Sequence, residues 1–283
     1  MIKHHSERFS ALLSAAEERE FVPFMHQLIA KAFGSIRPLF LGGTEVSMKG
    51  DASPVTLADR NAEAAMRALI EQRYPEHAIV GEEHGVKEGR GYRWVLDPID
   101  GTRAFITHCF LFGTLIGLER WERGRYRPVL GVIAHPAAGV ALIGHRRTTR
   151  LYATDGSSRR ARVRHCNRLD DATVLATSHW TSGEQPAPNA ARIEEIAGRA
   201  KMYRTWGDCF GYFALATGAA DLMLDPRLSY WDVAAIVPVV EGAGGTVSSW
   251  TGGDPLAEPS LIASAGALHP IVLSVLSTTP RSI

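Results

Sequence analysis

The chain has 283 residues, 45% hydrophobic and 22% charged, an ordinary composition for a globular protein with a large core. Its formal net charge is +1, from 31 Lys+Arg against 30 Asp+Glu, which removes the electrostatic reason to expect nucleic acid or an anionic membrane as a partner. Cys109, Cys166 and Cys209 are scattered without metal-ligand or disulfide spacing, no apolar window is long enough to span a membrane, and the polar start M-I-K-H-H-S-E-R lacks a signal-type apolar segment, so a cytoplasmic protein is expected.

In chain order, residues 6–20 place Phe9, Leu12, Leu13 and Ala16 at helical spacing, and 1–20 reads as an N-terminal helical extension. Pro23 reads as the first turn of a second helix with Phe24, Leu28, Ile29, Ala32 and Ile36 on one face. A third helix is predicted over Thr56–Tyr74. Strands are predicted at 78–80, 94–96, 113–118, 129–134 and 140–144, close together and separated by turn signals, as in an antiparallel sheet covered by helices. After about Leu151 the pattern alternates. Strands at 173–176, 201–204, 222–224, 246–249 and 261–263 interleave with helices at 190–200, 208–217, 232–241 and 270–277, and 181–190 is a loop by composition. The expected class is α/β, with sub-domains at 21–150 and 151–283.

The segment W-V-L-D-P-I-D-G-T at 94–102 ends an apolar strand in two acids, Asp97 and Asp100. Pro98 forces Asp97 toward an extended backbone, and the turn keeps the two carboxylates close. Close carboxylates are costly unless a cation lies between them, and an all-oxygen ligand set suits a hard ion such as Mg2+. Gly101-Thr102 opens the next segment and can aim backbone N–H groups at an anion. Glu82 and Glu83 follow the strand 78–80, and Asp232 opens a helix. Taken singly, each acid has a plainer reading: a loop acid, a helix cap at Asp232, a surface acid at Asp59, a capping hydroxyl at Thr102.

With these residues the chain resembles the inositol monophosphatase family of metal-dependent, lithium-sensitive phosphatases. G-E-E at 81–83, D-P-I-D-G-T at 97–102, W-D-V-A-A at 231–235 and E-G-A-G-G at 241–245 occur in the family's order and spacing, and the likeness runs from about Phe21 to the C-terminus. The resemblance implies a layered αβαβα sugar-phosphatase fold, about two or three Mg2+ per active site with Mn2+ as a substitute, and a homodimer. It implies Glu82, Asp97, Asp100, Asp232 and the Ile99 carbonyl as metal ligands, with Glu83 as an acid behind them or at a third metal. Asp59 and Thr102 correspond to the pair that orients and deprotonates the attacking water. The Gly101 and Thr102 amides would hold the phosphate. Lys49 sits where the family has a lysine near the site.

Within the family, D-P-I-D-G-T-R-A-F-I-T at 97–107, F-G-T-L-I-G-L at 112–118, T-W-G-D-C-F-G-Y at 205–212 and P-V-V-E-G-A-G-G at 238–245 resemble bacterial histidinol-phosphate phosphatases, enzymes of histidine biosynthesis. Asp208 stands where inositol-specific members have a small residue, and Asp225 where they have a sugar-binding Glu. Two acids suit a cationic histidinol better than a neutral polyol. The plainer reading of Asp208 is a cap on the helix that follows. The segment T-H-C-F-L at 107–111 departs from the family's turn and bears on specificity, with His108 either at the substrate or simply exposed. The other readings are an inositol-1-phosphate phosphatase, a 3′-phosphoadenosine-5′-phosphate phosphatase, and a non-catalytic member serving as a binding module.

Overall fold

The computed structural model describes residues 9–42, 46–48, 54–179, 190–258 and 260–277. Residues 9–14 are not helical, and α1 runs unbroken from Ala15 to Ile36. The expected break at Pro23 is absent, and of the described part of 1–20 only 15–20 is helical, as the first turns of α1 instead of a separate helix. Ser14 is the N-cap: its hydroxyl accepts the Glu17 N–H at 3.2 Å, while the Glu17 carboxylate accepts the Ser14 N–H at 2.8 Å. Ahead of it, the chain is tied down by Glu241, whose carboxylate accepts the N–H of Phe9 (2.7 Å) and both the N–H and hydroxyl of Ser10.

After a two-stranded ribbon, β1 (Val46–Met48) with β2 (Pro54–Thr56), comes α2 (Leu57–Arg73), capped by Thr56. An eight-stranded sheet follows. Its members are β3 (Ala78–Gly81), β4 (Gly85–Lys87), β5 (Tyr92–Asp100), β6 (Gly113–Glu122), β7 (Arg125–His135), β8 (Val140–His145), β9 (Thr148–Ala153) and β10 (Ser158–Ala161). The strand order is β10-β9-β8-β7-β6-β5-β3-β4, antiparallel except where β3 meets β5. A division at residue 150 would therefore fall inside β9. The short α3 (Thr102–Ile106) leaves the end of β5.

The second sheet has five strands, β11 (Thr173–Ala176), β12 (Met202–Arg204), β13 (Leu222–Asp225), β14 (Thr246–Ser248) and β15 (Leu261–Ser264), in the order β12-β11-β13-β15-β14. Between them run α4 (Ala190–Arg199), α5 (Asp208–Ala216), α6 (Tyr230–Gly242) and, at the end, α7 (Leu268–Ser277). Three apolar clusters show the layering. One joins α1 and α2 to one face of the large sheet, through Trp94, Ile116 and Val132. The second joins the opposite face, through Leu115, Ile133 and Leu142, to α5, α6 and the small sheet. The third packs α4 and α7 on the far side of the small sheet. This is the expected αβαβα order. Strands buried on both faces explain the near-continuous apolar runs in β6 and β7. Helix α6, between the two sheets, is buried from Asp232 to Gly242.

Glu241→Ala strands the Phe9 and Ser10 donors at the end of that central helix. It should lower stability by about 2–3 kcal/mol, the scale of a hydrogen bond to a charged group plus its buried orphan. A urea midpoint equal to the parent's would refute the tie.

Candidate active site

Asp97 and Asp100 lie at the C-terminal end of β5, and Asp232 lies in the first turn of α6. One carboxylate oxygen from each falls within 4.8 Å of the others. The sequence places the first two by a bulge. β5 pairs with β6 at Asp97↔Leu115 and again at Asp100↔Gly113, so β5 uses one residue more than its partner. Pro98, which has no N–H for the ladder, sits in that bulge, and its carbonyl accepts the Thr114 hydroxyl at 2.8 Å.

Asp232 is not the cap of α6. Ser229 is, and Asp232 three residues on accepts its N–H at 2.8 Å. The helix start is held by a network that sequence reasoning missed. Arg93 donates to buried Glu119 (2.6 Å) and to the Tyr230 hydroxyl (2.5 Å), and Tyr230 donates to Glu119. These residues are far apart in the chain and share no spacing that would have linked them.

The acids push one another up. Burial, then Glu82, Asp100 and Asp232, hold the Asp97 carboxyl well above the usual carboxylate range. Burial, then Asp208 and Asp232, do the same for Asp100, against the Cys209 N–H that donates to it. Asp232 is raised to about 7, chiefly by burial. Asp97 Oδ1 is buried without a hydrogen-bond partner. Hard oxygen donors at this spacing, one of them orphaned, fit a divalent cation such as Mg2+ or Mn2+.

Glu82 donates its N–H to Leu96 (3.1 Å), which brings it alongside β5, and its charge acts on Asp97, Asp59 and Asp232. Glu83 follows it in the same turn. The Ile99 carbonyl accepts the Thr102 hydroxyl at 3.1 Å. Asp59 is not a surface acid: it is 1% exposed, and its Oδ2 accepts both the N–H (2.8 Å) and the hydroxyl (2.5 Å) of Thr56. Asp59 and Thr102 are thus turned to different partners instead of to each other. Lys49 lies outside the described residues.

Gly101 has φ +80°, the left-handed turn that redirects the chain from β5 into α3. A Cβ there would lie 2.9 Å from a carboxylate oxygen of Asp208, so the Asp208 side chain rests on the Gly-Thr turn. Gly207, not Asp208, is the N-cap of α5, and Asp208 itself adopts φ +48°. Its carboxyl is raised to about 6 by burial, with Arg103 opposing. Asp225 departs from expectation. It is fully buried, its oxygens accept the Tyr212 hydroxyl (2.8 Å) and the Thr177 N–H (3.3 Å), and burial raises it to about 8. Its environment is the protein interior, within electrostatic reach of Asp208. His108 is exposed, as the plainer reading had it.

The sequence profile described as the inositol monophosphatase family matches residues 17–280. The chain belongs to that family. It is a phosphoric monoester hydrolase. It is 39% identical over 246 residues to the chloroplastic bifunctional phosphatase IMPL2 of Arabidopsis thaliana, covering 85% of this chain and 68% of that protein. A histidinol-phosphatase of Chlorobaculum parvum is 35% identical over 222 residues, 78% of this chain and 82% of the relative. Among solved structures, an inositol monophosphatase from Zymomonas mobilis superposes with a TM-score of 0.79 at 35% identity, covering 94% of this chain and all of that one. Among the described residues, no helix is long and apolar enough to cross a membrane.

A carboxyl whose pKa is raised by folding favours the fold while protonated, and that contribution is lost as pH rises through the raised value. For Asp232 and Asp208 those values are about 7 and about 6. Metal-free protein should therefore gain thermal stability from these two groups as pH falls from about 7 toward the ordinary carboxylate value of about 4. Asp97→Asn, which removes one of the repelling charges, should be more stable than the parent without metal and should lose the stabilisation that Mg2+ gives the parent. Melting curves with and without Mg2+ check both, and equal metal-induced shifts in the two proteins would contradict the assignment.

Proposed function

We propose that the protein is a Mg2+-dependent phosphatase acting on histidinol phosphate in histidine biosynthesis. The observation that carries the chemistry is the convergence of Asp97, Asp100 and Asp232 beside the Gly101-Thr102 turn. These acids, with Glu82, Glu83 and the Ile99 carbonyl, would hold the metal ions. When bound, such ions neutralise the acids, polarise phosphoryl oxygens and make water easier to deprotonate. The chain's own residues do the rest. The Gly101 and Thr102 amides, in a first turn without intrahelical acceptors, face the phosphate. The Thr102 hydroxyl spends its proton on Ile99 and so offers lone pairs to orient a water. Asp59, its carboxyl raised by burial, is a stronger base than an exposed aspartate and takes the water's proton.

Substrate choice rests on Asp208. It is half-buried, lies against the phosphate turn and faces the same space, which suits the ammonium or imidazolium of histidinol. Asp225 lies within its electrostatic reach and is held largely neutral near pH 7. One observation favours inositol 1-phosphate as the second reading: Arg103 acts on Asp208 and offsets part of its charge.

Phosphate release from histidinol phosphate, inositol 1-phosphate and 3′-phosphoadenosine 5′-phosphate tests the reading. Histidinol phosphate should be preferred, turnover should need Mg2+ with Mn2+ as a partial substitute, and Ca2+ and Li+ should inhibit. Full activity after exhaustive chelation would remove the metal requirement, and a preference for inositol 1-phosphate would install the second reading. Asp208→Asn keeps a residue that tolerates a left-handed backbone and loses the charge. It should raise KM for histidinol phosphate about ten- to a hundredfold while sparing kcat on glycerol phosphate. Equal losses on both substrates would make Asp208 structural. A homodimer belongs to the same reading, and a monomeric mass by light scattering would refute it.

A further inference from the structure

Glu63 belongs to none of the motifs in the sequence, yet it is 0% exposed and faces the turn that carries Glu82 and Glu83. Its Oε2 accepts the Glu83 N–H at 2.8 Å, and its Oε1 accepts the His84 N–H at 3.1 Å. Two successive amides closing on one carboxylate form an anion-binding nest, here filled by the chain itself. Arg67, one helical turn further along α2, donates to Glu63 Oε1 at 2.7 Å and to the Gly85 carbonyl. The turn spans only Glu82–His84, between Gly81 and Gly85, which pair across β3 and the short edge strand β4. Three register pairs on a sheet edge hold such a turn weakly. The Glu63–Arg67 pair grips it from inside.

Gly81 bears on the same point. It is not among the residues with left-handed backbone, so its conformation does not demand glycine. Space does: a Cβ at Gly81 would lie 1.9 Å from Glu63 Oε1 and 2.4 Å from its Cδ. The glycine of G-E-E is therefore the socket for the Glu63 carboxylate.

We propose that Glu63 is a positioning residue for metal binding: seated against Gly81, it fixes the Glu82–Glu83 turn of β3–β4 at the height of Asp59, which lies one turn earlier on α2. The inference rests on the reading of Glu82 as a ligand. Partners that orient metal ligands typically cost 10–100-fold in metal affinity when lost. Glu63→Gln is nearly isosteric, but it turns an amide NH2 toward the donors of Glu83, His84 or Arg67 and breaks the nest. Gly81→Ala leaves every charge in place and displaces the carboxylate by bulk alone.

The test is calorimetric titration of Mn2+ into the metal-free whole chain, with melting of the metal-free proteins as the measure of folding. Glu63→Gln and Gly81→Ala should each weaken Mn2+ binding at least about tenfold while remaining folded. In a Glu63→Ala background the socket is empty, so Gly81→Ala should cost little more. Binding within about twofold of the parent in Glu63→Gln, with only the melting temperature lowered, would make the clamp purely structural and overturn the proposal. Fully additive losses in the double variant would overturn the socket. Asp97→Asn serves as the control: parent-like Mn2+ binding there would overturn the metal reading itself, whereas lost binding in Asp97→Asn with parent-like Glu63→Gln overturns the role of Glu63 alone.

Discussion

The mutual repulsion of Asp97, Asp100 and Asp232 is the constraint on which the rest of the structure turns. Two unit charges about 4 Å apart repel by about 4 kcal/mol at the effective dielectric of a protein surface, and more where water is excluded. Three carboxylates with oxygens within 4.8 Å carry several such pairs. A chain free to relax would swing them apart. Here it cannot, because each acid is fixed by an element that is itself fixed. Asp97 continues a strand whose Trp94, Val95 and Leu96 are all fully buried, and Asp232 begins a helix buried along its length. The hydrophobic layers supply the force that holds the acids together for a cation.

The same logic explains the buried polar networks. Arg93, Glu119 and Tyr230 spend a buried ion pair on the first residue of α6, although such pairs are seldom a gain in stability over apolar packing. Their value lies in direction. Tyr230 is two residues from Asp232, and tethering its ring to β5 and β6 sets where α6 begins. Glu63 and Arg67 do for the turn after β3 what this network does for the start of α6. Two of the pieces of backbone that present an acid, the start of α6 and the turn after β3, therefore have a second, buried acid paired with arginine behind them.

Most of the fold was legible because its elements are strongly patterned. The helices of the second half and every strand of both sheets longer than four residues, except β9, show in the apolar runs. The N-terminal break was misread because Pro23 tells of a first turn only when nothing upstream caps the helix, and the Ser14–Glu17 pair does. The position of β9 and β10 was missed because T-T-R-L-Y-A and S-R-R-A are polar on one side. At the site, the acids that converge were legible from their motifs, whereas Glu63, Glu119 and Tyr212 were not. A buried acid paired over a long separation leaves no local signature. Asp225 reads like a substrate contact until Tyr212 and Thr177 are seen to occupy it.

Asp208 shows why the surroundings of a single candidate residue were the least legible feature. Its left-handed backbone, φ +48°, costs on the order of 1–3 kcal/mol for a non-glycine residue. Glycine would adopt it freely, and Gly207 stands immediately before it. Something must hold the strained residue, and two contacts do: the Thr177 hydroxyl accepts the Asp208 N–H at 2.9 Å, and Asp100 accepts the N–H of Cys209. The second contact ties the entrance of α5 to one of the three clustered acids. The backbone next to Asp208 is thus tied to the acidic cluster itself. Neutralising Asp100 weakens it as the acceptor of the Cys209 N–H and so loosens the start of the helix that carries Asp208. The charge of the acidic cluster and the placement of Asp208 are in this way parts of one electrostatic arrangement, which no motif confined to either segment could reveal.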